Sequence, residues 1–421
     1  MNQIDAADTA WMLISTALVL LMTPALALFY GGMVRGKNVL STFMHSFFAM
    51  GIMTIQWVVI GYSLSFGPDV GGGLLGGLDY VLLRGVGFEP GPAAATIPHL
   101  LFMAFQMMFA IITPALISGA FAERLKFSTY AVFIVLWGTL VYDPICHWVW
   151  GPNGWLATRG ALDFAGGTVV HLSAGVSALV FALVLGRRVN PTPPHNLPFT
   201  LVGAGLLWFG WFGFNAGSAL TAGDKATLAL INTHLAAAAA AVAWALVEWI
   251  RQGKPTALGV ASGLVAGLVA VTPAAGFVSP LSALLIGALA GPVCFFAVLM
   301  KTKFKYDDSL DAFGIHGVGG ALGAILTGVF ASAVWNSPSD PSKGIDGLLE
   351  GNAGVVGEQL FGVLVAGAYA AIMTYVVLKV LDAAMGLRVA EDAEREGLDV
   401  SLHGEEAYHT GQGTTVLNSV E

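Results

Sequence analysis

Apolar residues fall in long blocks along this chain, and few positions alternate between polar and apolar as they would in a strand. A helix needs about 20 apolar residues to cross a hydrocarbon core of about 30 Å. Blocks of that length, separated by charged or Pro/Gly-rich breaks, lie near 10–30, 39–66, 98–121, 127–145, 164–186, 197–219, 226–249, 257–273, 277–300, 312–335 and 354–385. The pattern predicts an all-α integral membrane protein with eleven transmembrane helices, because a helix satisfies its own backbone hydrogen bonds in lipid. The opening "MNQIDAADTA" carries acids where a secretory signal carries basic residues, so the first span reads as retained, with the N-terminus outside.

Charge distribution supports that orientation. On this arrangement the inside loops hold eleven basic residues, from Arg35 and Lys37 to Lys301, Lys303 and Lys305. The outside loops hold four: Arg84, Arg159, Lys225 and Lys343. Such an excess marks the cytoplasmic side. An odd number of spans then puts the C-terminus inside. The chain divides into a transmembrane part, 1–385, and a polar, acidic tail, 386–421, that cannot span.

Composition narrows the class further. Of 421 residues, 56% are hydrophobic and 10% charged, and the mean hydropathy is +0.76. That excludes a soluble globular domain. The net charge of -8 resides in loops and tail, which speaks against nucleic acid as a partner. Cys146 and Cys294 fall in different spans without metal-ligand spacing and read as small apolar fillers. Glycine occurs 54 times, and "GVGGALGAILTG" (317–328) has the small-residue spacing of closely packed membrane helices.

One spacing recurs. Asp163 precedes His171 by eight residues at the start of span five, and Asp308 precedes His316 by eight at the start of span ten. Five spans separate the copies, so one enters from outside and the other from inside, as in inverted five-helix repeats. Eight residues carry each imidazole about 12 Å below its aspartate and about 80° around the helix. The two histidines can therefore meet near the midplane, while the aspartates stay at opposite faces. For each aspartate the plain reading is an N-cap for the orphan N–H groups of the next turn. For the histidines it is a satisfied core imidazole, but intramembrane ionisable groups usually line a pathway. Buried neutral imidazoles both donate and accept, which suits a small polar molecule or a proton and not a bare metal cation.

Aromatic residues complete the set. "LLWFGWFGFNAGSAL" (206–220) carries Trp208, Trp211, Phe212, Phe214 and Ser218, with Phe214 and Ser218 on one helical face. "FQMMFAIITPAL" adds Phe109, and "HWVWGPNGW" puts Trp150 at the outer rim. Each alone reads as packing or as part of the interfacial aromatic belt. Together with a hydroxyl they can make a cation–π site.

At these residues the sequence resembles the ammonium transporter (Amt/Rh/MEP) family over essentially its whole length. "DFAGGTVVH" (163–171) matches the family signature, and "GAFAERLKF" (119–127), "FGFNAGSA" (212–219), "FGIHGVGG" (313–320) and "EREGLDVSLHGEEAY" (394–408) follow family patterns in order. The resemblance implies a homotrimer with one pore per subunit, in the cytoplasmic membrane, that takes up ammonium without a cofactor. It also implies an outer recruitment site from Phe109, Trp150 and Ser218, with Trp150 in this role in preference to Trp148 or Trp155. Further in, it implies a phenyl gate of Phe109 and Phe214, a twin-histidine pore of His171 and His316 with Trp211 beside it, and a supporting or proton-path role for Asp163. The tail resembles the part of bacterial members that docks a PII-type signal protein. Two alternatives remain: an ammonium sensor signalling through the tail, and a neutral gas channel, which needs no aromatic cation site. An intramembrane enzyme is disfavoured, since no HExxH or GxSxG occurs in any span.

Overall fold

The computed structural model describes residues 4–408. Among the described residues, ten helices are long and apolar enough to cross a membrane. A shorter apolar helix, Ala257–Val271, stands at the position of the eighth expected span. In chain order the ten are Ala6–Met33, Gly36–Phe66, His99–Phe121, Phe127–Arg159, Gly167–Leu185, Leu197–Ala216, Asp224–Gln252, Pro280–Phe304, Phe313–Phe330 and Gly354–Met385. With the short helix counted eighth, they are spans one to eleven.

The fourth span departs most from its expected limit. The apolar block is drawn to 145, yet helix continues past Asp143 and His147 to Trp150. The carboxylate is accommodated because the amide of Gln56 and the hydroxyl of Ser65 donate to it, at 2.8 and 3.3 Å. Span ten also stops earlier than the apolar pattern suggests, at Phe330, with a separate short helix at Ala333–Asn336.

Spans five and ten cross at the centre. A Cβ on Gly175 would lie 2.0 Å from the backbone nitrogen of Gly317, so two backbones touch where any side chain would separate them. The starts of the two spans point to opposite faces. Asp163 lies beside Trp150 and the loop of Pro273, where Phe164 donates its N–H to the Pro273 carbonyl. Asp308 lies among the loop residues Arg124 and Ser309 and beside Lys301. This is the inverted relation that the repeated spacing predicts.

The segment after Met385 is folded against the face that carries Asp308. The N–H of Lys126 donates to the Leu387 carbonyl and that of Val389 to the Arg124 carbonyl. Two short helices come next, Glu391–Glu396 and Leu398–His403. Asp399 accepts the N–H of Ser41 at 2.8 Å, and Asn38 accepts the N–H of Leu398 at 2.7 Å. Up to Tyr408, then, the acidic tail is a fitted cap; its last part, 409–421, lies outside the described residues.

Candidate functional site: a vestibule and a histidine-lined constriction

Three short π-helical turns carry the central side chains. Gly167–Leu172 contains His171, Phe212–Ala216 contains Phe214, and Phe313–Gly317 contains His316. A π turn inserts an extra residue into the helical repeat and rotates the side chains beyond it, and such turns recur at functional sites. Here each one brings a ring to the same axis.

The start of span five is fixed by Asp163. Its two carboxylate oxygens accept the backbone N–H groups of Gly166, Gly167, Thr168 and Val169 at 2.7–3.1 Å. All four bonds answer donors that a helix start leaves unpaired. The Asp163 carbonyl accepts the indole N–H of Trp150 at 2.9 Å. Asp308 does the same for span ten with the N–H groups of Ala312 and Phe313. Neither carboxylate reaches a histidine.

On the Asp163 face a hollow of about 270 Å³ is lined by Phe109, Trp150, Phe164, Gln106 and Ser218. Trp150 packs edge-on to Phe109 with ring centroids 5.8 Å apart. The Ser218 hydroxyl donates to the Phe214 carbonyl at 2.8 Å, which leaves its lone pairs free to accept from a cationic N–H. Trp148 and Trp155 pack on each other elsewhere, and the Trp148 indole donates to the Leu74 carbonyl. Of the three candidate tryptophans, Trp150 is the one at the hollow.

The hollow ends at two stacked rings. Phe109 and Phe214 lie 4.2 Å apart, inclined at 33°. Beyond them is a constriction of about 10 Å³ lined by Phe214, His171, His316, Trp211 and aliphatic neighbours such as Leu26 and Ile112. A volume of that size holds roughly one water. The His171 and His316 rings stack at 5.3 Å and 18°, with their Nδ1 atoms 3.3 Å apart. At that separation one Nδ1 donates and the other accepts, so the tautomers are linked. Trp211 stacks on His171 at 5.3 Å and is held by its indole N–H donating to Thr272. Both histidines are buried, and His171 Nε2 has no hydrogen-bond partner among the described residues.

An ion-pair network closes the opposite face. Glu123 accepts from Arg35, Asn38 and Arg188, and Arg188 also holds Asp307 through two 2.9 Å bonds. Burial would raise the Glu123 carboxyl, but Arg188 and Arg35 outweigh it and hold it below the usual carboxylate range. Asp307 is likewise held down at about 2, with Arg188 overcoming its burial. Its neighbour Asp308, with no arginine in salt-bridge contact among the described residues, is pushed up to about 7 by burial and by Asp311, against Lys301.

The recurring Asp-to-His spacing draws attention to spans five and ten and away from span four. Asp143 and His147 there are fully buried ionisable groups that the sequence reading passes over. The signal is present in "VYDPICHWVW", two ionisable side chains inside an apolar run. His45, buried with neither ring nitrogen paired among the described residues, is a third such residue.

A nearly all-helical, multi-pass membrane protein with an aromatic vestibule leading to a polar pair in an apolar constriction is a transport protein by architecture. The model of the Ammonium Transporter Family matches residues 10–408. An ammonium transporter of Bacillus subtilis is 54% identical over 95% of this chain and 98% of its own length. The Archaeoglobus fulgidus ammonium transporter Amt1 is 48% identical over 95% and 99%. Among solved structures, Saccharomyces cerevisiae Mep2 superposes with a TM-score of 0.88 at 39% identity, covering 93% of this chain and 89% of that one. A structure described as a sensor Amt protein superposes with a TM-score of 0.85 at 28% identity, covering 94% and 98%. The chain belongs to the Ammonium Transporter Family, and it transports ammonium across a membrane.

Proposed function

We propose that the ammonium cation is gathered in the vestibule, gives up its proton there, and crosses as ammonia past His171 and His316. The observation that carries this reading is the stacked imidazole pair inside the constriction, directly behind the Phe109–Phe214 rings. Trp150 and Phe109 offer π faces to a cation and Ser218 an acceptor. A charge in the apolar constriction has a high cost, so the cation favours shedding its proton before the phenyl rings. Ammonium and potassium are close in size; loss of a proton separates them where size does not. The imidazoles then exchange hydrogen bonds with ammonia, while Asp163 acts structurally, through Trp150 and the start of span five.

The distribution of basic residues supports a vestibule on the outside of the cytoplasmic membrane and a cytoplasmic tail. By the family resemblance the protein works as a homotrimer, with 1–385 as the transport unit and 386–421 as a regulatory segment open to a PII-type partner. The deciding experiment is current across proteoliposomes on addition of ammonium and, separately, of potassium. A current with ammonium and none with potassium is expected; equal currents sink the reading. A sensor role has one observation in its favour, the tail fitted onto the loops at Asn38, Ser41 and Lys126. It predicts ammonium-dependent release of the tail with negligible flux.

A further inference from the structure

The vestibule end of span four is tied down by a second acid–base pair, away from the constriction. His147 lies one turn before Trp150 and its side chain is wholly buried. Its Nδ1 is 2.9 Å from the Ser65 carbonyl at the end of span two, and its Nε2 is 3.3 Å from Asp69 Oδ1 in the loop after that span. The same Oδ1 accepts the N–H groups of Gly71 and Gly73, as an ionised carboxylate does. Both nitrogens of His147 therefore face groups that only accept. A neutral imidazole has one N–H and can satisfy one of them. The arrangement is complete only when the pair holds one more proton, as an imidazolium against a carboxylate.

That pair joins three pieces of backbone. The Asp69 loop also receives the N–H of Trp155 on the Gly73 carbonyl and the indole of Trp148 on the Leu74 carbonyl. The His147 carbonyl accepts the N–H of Gly151, where a Cβ would lie 2.4 Å from His147 Nδ1 and 2.6 Å from the Ser65 oxygen. The loop is thus clamped to the last turn of span four, and Trp150 sits in that turn with its indole reaching Asp163 on the other side. On the same span the nearest titratable groups are Cys146 and, about one turn inward, Tyr142 and Asp143, the last of which faces Gln56 and Ser65. On span two Tyr62 is turned away to His99. Among the described residues His147 is the one basic side chain paired with Asp69.

We infer that Asp69 and His147 form a positioning pair that holds one shared proton and, through the last turn of span four, sets how Trp150 presents its ring. The inference rests on the reading of Trp150 as part of the cation site. Loss of the proton leaves the Nε2 lone pair facing the Asp69 charge, and the loop parts from the helix. The half-saturating concentration of ammonium then rises while the maximal rate, set further in, is kept.

The test has two parts. Nitrogen-15 NMR of histidine-labelled wild-type protein in lipid, assigned against His147→Gln, reads the protonation of His147 directly. A doubly protonated ring at neutral pH is expected, and a singly protonated one overturns the inference. Ammonium-evoked current is then measured as outer pH is raised from neutrality until the same spectra show the wild-type ring losing its second proton. In the wild type the half-saturating concentration of the cation should step up about threefold or more, a small part of the cation–π range. In His147→Gln and Asp69→Asn that step should vanish with maximal rates preserved, and Asp69→Glu should restore it. A step that persists in both neutral variants overturns the pairing alone. A Trp150→Leu variant with wild-type half-saturation would instead remove the vestibule reading, and this inference with it.

Discussion

The main-chain carbonyl of Asp163 accepts the indole N–H of Trp150 at 2.9 Å, while its carboxylate accepts four N–H groups at the start of span five. One residue therefore fixes both the vestibule aromatic and the helix that carries His171.

Asp163→Ala should then damage transport more than folding. Loss of an N-cap costs about 0.5–2 kcal/mol of stability. The transport effect adds the displacement of Trp150 and of His171, and misplacement of reacting groups is disproportionately harmful. Asp163→Asn keeps an acceptor oxygen and should retain more of both. Melting temperature and ammonium current measured on the same preparations check this. Equal fractional losses in the two variants would show that the carboxylate does no more than any polar residue there.

Trp150→Leu removes the π face and keeps bulk. Cation–π attraction at such sites contributes about 0.5–2 kcal/mol, so the half-saturating ammonium concentration should rise by about 2- to 30-fold. The maximal rate should change less, because the constriction is untouched. A neutral gas channel would show neither effect.

The spans and the paired histidines were legible because each rests on a local pattern. Blocks of apolar residues mark helices, and a repeated Asp-x7-His marks two equivalent helix starts. The fit of the tail was not legible. Glu394 and Asp399 read as two more charges in an acidic stretch, yet both are buried: Glu394 accepts from the guanidinium of Arg388, six residues back, and from the distant N–H of Val189, and Asp399 from the distant N–H of Ser41. Composition records the charge and not the partner. The π-helical turns escaped for a similar reason, since the extra residue in each is set by packing around the axis and leaves no periodic signature.

Glu394 is the residue on which the tail turns. It accepts the N–H of Val189 at 2.6 Å and the Arg388 guanidinium at 2.7 Å, and its carbonyl accepts from Arg35. Glu394→Ala should expose the segment after Arg388 to protease while leaving the melting temperature of the transmembrane part nearly unchanged. A truncation after residue 388 should likewise assemble and alter control; if capture of a PII-type protein from the same cell is indifferent to it, the docking idea fails.

The ion pairs beneath the tail give a pH expectation with a definite sign. Asp307 is depressed in the fold to about 2 by Arg188 acting against burial. A depressed carboxylate contributes stability above its unfolded pKa, about 3.9, and loses that contribution as pH falls through the folded value. The Arg188–Asp307 contact should therefore persist at pH 5, and its contribution should fade between about pH 4 and about pH 2. Protease protection of the loop around Arg188, followed down the pH scale, checks this. Full release by pH 5 would show that another group governs that face.

The last expectation concerns the constriction. His171 and His316 share one Nδ1–Nδ1 contact at 3.3 Å, so replacing either leaves the other ring without its partner. His171→Ala and His316→Ala should each assemble, because the surrounding lining is apolar and the backbone crossing at Gly175 and Gly317 is independent of both rings. Each should change what the pore passes. If the pair forces or relays deprotonation, the double substitution abolishes the ammonium current or admits potassium. Residues in contact typically couple by about 0.5–3 kcal/mol, so the two single effects should fail to add by a measurable factor in the current. A double variant with the wild-type ammonium current and intact exclusion of potassium would reduce both histidines to packing and leave selectivity to be found in the vestibule.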